Sequence, residues 1–165
     1  MSSLRAALAA VALAATLAGP QTAEARAPSR SVACQGITDA QVAGLFDRWN
    51  RALGTKNPDT VVANYAADAT LLPTVQNGPL VGRAAIHEYF VYFLKQSPQG
   101  TIDKRVIHVG CNVAYDIGLY TFTVNGDQPD SRKQVKARYT FIYAPEHGTW
   151  LIVHHHSSVI PQPSE

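Results

Sequence analysis

The hydrophobic period changes once along this chain, and that change dictates the fold class. Up to Leu94 most apolar residues recur at helical spacing, whereas from Thr101 to Ser158 they alternate with period 2. The first helix is announced by Thr38-Asp39-Ala40-Gln41, a capping box that Ile37 can staple onto Val42. Val42, Leu45, Phe46, Trp49 and Leu53 then mark one buried face, and Gly54 supplies a stop. A second, shorter helix opens at Asn57-Pro58-Asp59 and buries Val61, Val62 and Tyr65. Tyr65 to Pro73 leads into a strand, Asn77-Gly78-Pro79 turns, and Leu80-Val81 is a two-residue strand at most. The third helix follows Gly82, with Ala85, Ile86, Tyr89, Phe90, Phe93 and Leu94 as its apolar stripe. Four strands are expected after it, at about 102–109, 114–124, 134–143 and 149–158, joined by hairpin loops around Gly126 and Gly148. This order predicts an α+β fold in which a curved antiparallel sheet wraps a long N-terminal helix as a cone.

The first 25 residues read as a targeting segment. Arg5 precedes the uncharged run Ala6–Ala18, and Ala23-Glu24-Ala25 has the small-x-small pattern of a signal-peptidase site, so cleavage is expected after Ala25. The thirteen residues of this run span roughly 20 Å as a helix, short of a hydrocarbon core of about 30 Å, so no membrane anchor is expected. Removing 25 of the 165 residues leaves 140, enough for one domain: a leader at 26–36, the α+β cone at 37–161 and a tail at 162–165. With Arg5 and Glu24 gone, 13 basic and 11 acidic side chains remain of the 14 and 12 in the whole chain. Neither that balance nor any local Lys/Arg cluster offers a nucleic acid a footprint. Cys34 and Cys111 are the two cysteines, and in an exported chain they are expected to pair.

The last strand carries the densest chemistry. Strict alternation places Trp150, Ile152, His154, His156 and Ser158 on one face, and Leu151, Val153, His155 and Ser157 on the other. His154 and His156 have the spacing of two metal ligands on a strand, but the candidate third ligands His108, Asp116 and His155 are not clustered in sequence, so no metal or other cofactor is expected. Ser157 and Ser158 sit in no strand-turn-helix elbow, which argues against a nucleophilic serine. Asp68, at a helix-to-strand junction, reads as a backbone-bonding acid. Asp116 lies in mid-strand, where an acid needs a partner such as Arg138 or Arg105.

Trp150-Leu151-Ile152-Val153-His154-His155-His156-Ser157, together with Arg138-Tyr139, resembles the last two strands of the association (hub) domain of calcium/calmodulin-dependent protein kinase II. Bacterial relatives of that domain are similar through Phe46-Asp47-Arg48-Trp49-Asn50, Tyr65-Ala66-Ala67-Asp68-Ala69, Leu71-Leu72-Pro73-Thr74 and Gly110-Cys111-Asn112. The wider group is the nuclear transport factor 2-like superfamily of cone-shaped α+β domains, which usually dimerise. No kinase domain or calmodulin-binding helix fits in 140 residues. In the ketosteroid isomerases of this superfamily an Asp acts as base on the strand after the second helix, and similarity puts Pro73 at that position here, which cannot take a proton.

The resemblance implies that Arg138 points into the cone. A ligand site for a small carboxylate or polar compound is then expected from Arg138, Asp116, His154 and His156, with Tyr89 and Arg105 as further cavity groups. The same orientation turns Val135, Ala137, Tyr139, Phe141 and Tyr143 outward as an apolar face that needs a second copy, at least a homodimer. Two functions follow: an exported, non-catalytic, oligomerising domain that holds a small ligand, or a lyase, isomerase or hydrolase working through Asp116, His154 and His156.

Overall fold

A computed structural model describes residues 33–161; the expected targeting segment at 1–25, most of the expected leader and the tail at 162–165 lie outside the described residues. Helix α1 (Asp39–Gly54) starts at the expected capping box, with the Gln41 amide donating to Thr38 Oγ1 and the Thr38 amide to Gln41 Oε1. Its stop is made beyond Gly54, where the Thr55 hydroxyl donates to the Ala52 carbonyl and Lys56 takes the left-handed conformation. Helix α2 (Pro58–Val62) is capped by Asn57, and Tyr65 already belongs to strand β1 (Tyr65–Leu72) rather than to that helix. Strand β2 (Leu80–Val81) and helix α3 (Gly82–Phe93) follow, and a short 3₁₀ turn, Leu94–Gln96, ends the helical half.

The remaining strands are β3 (Gln99–Gly110), β4 (Val113–Asn125), β5 (Arg132–Glu146) and β6 (Thr149–Val159). The six strands form one unclosed mixed sheet in the order β2-β1-β6-β5-β4-β3. All neighbours are antiparallel except β1 and β6, which run parallel. The fold is therefore α+β with three helices, as the change of period predicts.

The sheet curves over α1, and the core lies between them. Trp49 packs edge-on against Phe141 at 5.2 Å and Phe122 at 6.2 Å, and Phe46 contacts both Phe141 and Tyr139. Helix α3 closes the other side with Ile86 and Phe90 buried. Ahead of α1, Cys34 is disulfide-bonded to Cys111 in the β3–β4 turn, with Cα atoms 5.0 Å apart. Asn112 reinforces this staple: its side chain accepts from the Gln35 amide and donates to the Ala33 carbonyl.

Candidate functional site

Two β-bulges decide which side chains enter the cone. On β6, Ile152 pairs with Tyr143 and His154 with Ile142, so Val153 is an extra residue and the alternation changes parity there. Ile152, His155 and Ser157 consequently share the inner face, each opposite a buried aromatic of β5: Tyr143, Phe141 and Tyr139 respectively. On β3, Asp103 is the extra residue between the pairs Ile102–Tyr120 and Lys104–Leu119, which turns Arg105 inward opposite Gly118. A Cβ on Gly118 would lie 1.9 Å from the Lys104 carbonyl oxygen, so only glycine lets the bulged strand approach this closely.

His155 is at the centre of the inner face. Its ring stacks on Phe141 with centroids 4.0 Å apart and meets Trp49 edge-on at 5.2 Å. Trp49 Nε1–H donates to the Tyr65 hydroxyl at 3.1 Å, and that hydroxyl lies 2.9 Å from His155 Nδ1. The hydrogen-bond network assigns the tautomer: if Tyr65 donates to Nδ1, the ring proton sits on Nε2, and within the Trp49–Tyr65–His155 chain only this N–H lacks a partner among the described residues. The other tautomer would strand both the Tyr65 proton and the Nε2 lone pair. Burial, followed by the His154 and His156 charges, pushes the His155 pKa down to about 3, so the ring is neutral. Beside it the Tyr120 hydroxyl donates to Ser157 Oγ at 2.5 Å, and Ser157 is bonded to Thr74. Pro73, Leu71 and Phe93 complete a cavity of only about 10 Å³ between these groups. On the other side of Tyr89 and Phe93 lies an open groove of about 560 Å³.

A second polar cluster lies across the sheet. Asp116 is fully buried; its carboxylate accepts from the Tyr139 hydroxyl at 2.7 Å and lies 3.0 Å from Arg105 Nε, while the Arg105 guanidinium sits over the Phe46 ring. Burial pushes the Asp116 carboxyl up, and Tyr139 and Arg105 oppose that rise. Arg105 Nη2 and the Tyr143 hydroxyl are buried here without hydrogen-bond partners among the described residues. Asp116 lines neither the cavity nor the groove.

The structure divides the sequence-predicted site residues. Asp116 and Arg105 meet inside, as an ion pair, and Tyr89 lines the cavity. Arg138 does not point into the cone: it is exposed on the outer face, with its guanidinium donating to the Val159 carbonyl at 3.4 Å. His154 and His156 are also on the outer face, because the bulge at Val153 gives the inner positions to His155 and Ser157. The aromatic face of β5 is correspondingly inward, with Ala137, Tyr139, Phe141 and Tyr143 buried under α1, so it cannot be the surface that meets a second copy. Asp68 is exposed, and Pro73 does line the cavity. Among the described residues no group of three His, Cys, Asp or Glu is placed to hold a metal. Sequence reading passed over Tyr65, Thr74 and Tyr120, whose signal was that hydroxyls in apolar runs need one another as partners.

The architecture is that of the nuclear transport factor 2-like domains. A protein with a cystatin-like fold from Novosphingobium aromaticivorans superposes with a TM-score of 0.63 at 10% identity, over 76% of this chain and 83% of its own. A ketosteroid isomerase-like protein from Erwinia carotovora gives 0.61 at 15%, over 74% and 96%. These establish the fold. Within it, the profile of the calcium/calmodulin dependent protein kinase II association domain matches residues 38–161, and the chain belongs to that family. A Xanthomonas campestris protein assigned to the same association domain is 42% identical, over 80% of this chain and 97% of its own, with a TM-score of 0.72. None of the curated proteins matches the chain.

Proposed function

We propose that this protein is an exported, non-catalytic domain that self-associates through the outer face of its sheet and holds a small ligand in its cone. The observation that carries the reading is the make-up of that outer face. Three ladder rows cross it: His108-Tyr115-Ile142-His154, Val106-Ile117-Thr140-His156 and Lys104-Leu119-Arg138-Ser158. Ile117, Leu119 and Ile142 form a half-open apolar centre, extended by Val106 (44% exposed) and Tyr115 (37% exposed), while Lys104 and Arg138 lie to one side. The inner face is already covered by α1 and α3, so the outer face is the sheet surface left for a partner, and an apolar centre with a polar rim is the make-up of a protein interface. Membership of an association-domain family supports a second copy of the same chain as that partner.

Export is supported by the Cys34–Cys111 bridge, which belongs to an oxidising compartment. The catalytic alternative loses its constellation, because Asp116 is inside the cone while His154 and His156 are outside it. Light scattering on the purified mature chain at micromolar concentration is expected to give at least a dimer mass, and Ile117→Asp to lower it. A wild-type monomer would contradict the proposal.

A further inference from the structure

The cavity around His155 and the groove outside α3 share two aromatic rings as a common wall. Tyr89 and Phe93, one helical turn apart on α3, stack with centroids 5.4 Å apart and line both spaces. Rotation of these side chains would join the groove, walled by Val75, Leu80, Ala85 and Tyr92, to the polar groups beneath. We propose that groove and cavity together bind a neutral molecule with an apolar body and a terminal carbonyl, its oxygen seated between His155 Nε2–H and the Ser157–Thr74 hydroxyls. The proposal rests on the reading that the cone holds a ligand, and it names the class.

Hydrogen-bond counting supports the carbonyl. His155 Nε2 has no partner, and the tautomer fixed by Trp49 and Tyr65 makes it a donor. Tyr120, Ser157 and Thr74 have three hydroxyl protons joined by two hydrogen bonds, which leaves one proton for a further acceptor. Two donors lining one small cavity suit an oxygen that has two lone pairs and no proton of its own.

Charge supports neutrality. The cavity is lined by no Lys, Arg, Asp or Glu, its imidazole is held neutral by burial, and Glu88 is the one charged residue along the groove. A carboxylate would lose its hydration there without meeting a cation. The ligand class therefore differs from the small carboxylate that an inward Arg138 would have selected. At about 10 Å³ the closed cavity has room for one water at most, so a larger guest has to displace the two rings.

The test titrates the mature protein with 2-octanone and with octanoate at pH 7, reading tryptophan fluorescence through Trp49, which lines the cavity, and thermal midpoint. Saturable binding of 2-octanone is expected, with octanoate weaker by about tenfold or more. Ser157→Ala should weaken the ketone by about fivefold, the loss of one net hydrogen bond. His155→Phe should weaken it further while keeping the stack on Phe141, and Tyr89→Ala should still bind the ketone, with faster association. Octanoate binding as tightly as 2-octanone, or ketone binding that Ser157→Ala and His155→Phe both leave unchanged, overturns the assignment of class and leaves the cone as a ligand site. No saturable response to either compound, in wild type and in Tyr89→Ala, means a cavity for water alone and removes the ligand from the proposed function as well. Self-association is measured independently, by mass.

Discussion

A neutral imidazole deep in an aromatic core makes stability depend on acid. His155 has a folded-state pKa near 3 against about 6.5 in an unfolded chain, so between these values the unfolded state binds the extra proton. Its contribution is complete above about pH 6.5 and is lost as pH falls, at a slope of about 1.4 kcal/mol per pH unit. Urea midpoints measured at pH 7, 5.5 and 4.5 should fall steeply for wild type. The fall should be shallower in His155→Phe, which preserves the stack on Phe141 and cannot take a proton. Equal slopes for the two proteins would mean that His155 is not held neutral. The Asp116 cluster differs in kind: a buried carboxylate with a hydroxyl and a guanidinium around it is a structural ion pair that requires all three groups together.

At the scale of the strands, the bulges link sequence to site. Helix α1, its cap and the four long strands were legible because each is a run of consistent period with a clear boundary, and Asp116 was legible as an acid that must have a partner. The faces were not legible, because one extra residue reverses every side chain beyond it and Val153 gives no local sign of being extra. The alternation did keep His155 with Ser157 and His154 with His156; it failed on which pair stays with Ile152. The resemblance compounded the error by turning Arg138 inward, and the aromatic face of β5 outward with it. Gly118 is the residue in which the other bulge leaves a trace. Gly118→Ala should cost about 2–4 kcal/mol, since a backbone carbonyl cannot rotate out of the way of the new Cβ. Gly44→Ala, on the exposed side of α1 with open space around it, should be neutral or stabilising by up to about 1 kcal/mol. Denaturant unfolding of both variants checks the contrast, and equal effects would contradict the tight register at the Asp103 bulge.

For the whole molecule, the disulfide bears on how the domain persists and the outer sheet face on the proposed self-association. The bridge closes a segment of 77 residues, which corresponds to roughly 4–5 kcal/mol in the chain-entropy model, an upper value if the unfolded chain is compact. The double variant Cys34→Ala/Cys111→Ala should unfold at clearly lower urea, and a free-thiol assay on exported wild-type protein should find none. Unchanged stability, or two titratable thiols, would rule the bridge out of the working protein. The outer face accounts for a feature that the cone does not use: Ile117, Leu119 and Ile142 are apolar where a solvated sheet face would be polar. Sedimentation equilibrium on a pair of variants tests the self-association claim most directly. Leu119→Asp, which charges the outer face and leaves the core intact, is expected to give a monomer. Tyr139→Phe, which removes a buried hydroxyl from Asp116, is expected to keep the wild-type mass while lowering stability. A Leu119→Asp protein with unchanged mass, or a Tyr139→Phe protein that dissociates while folded, would contradict assembly through the outer face.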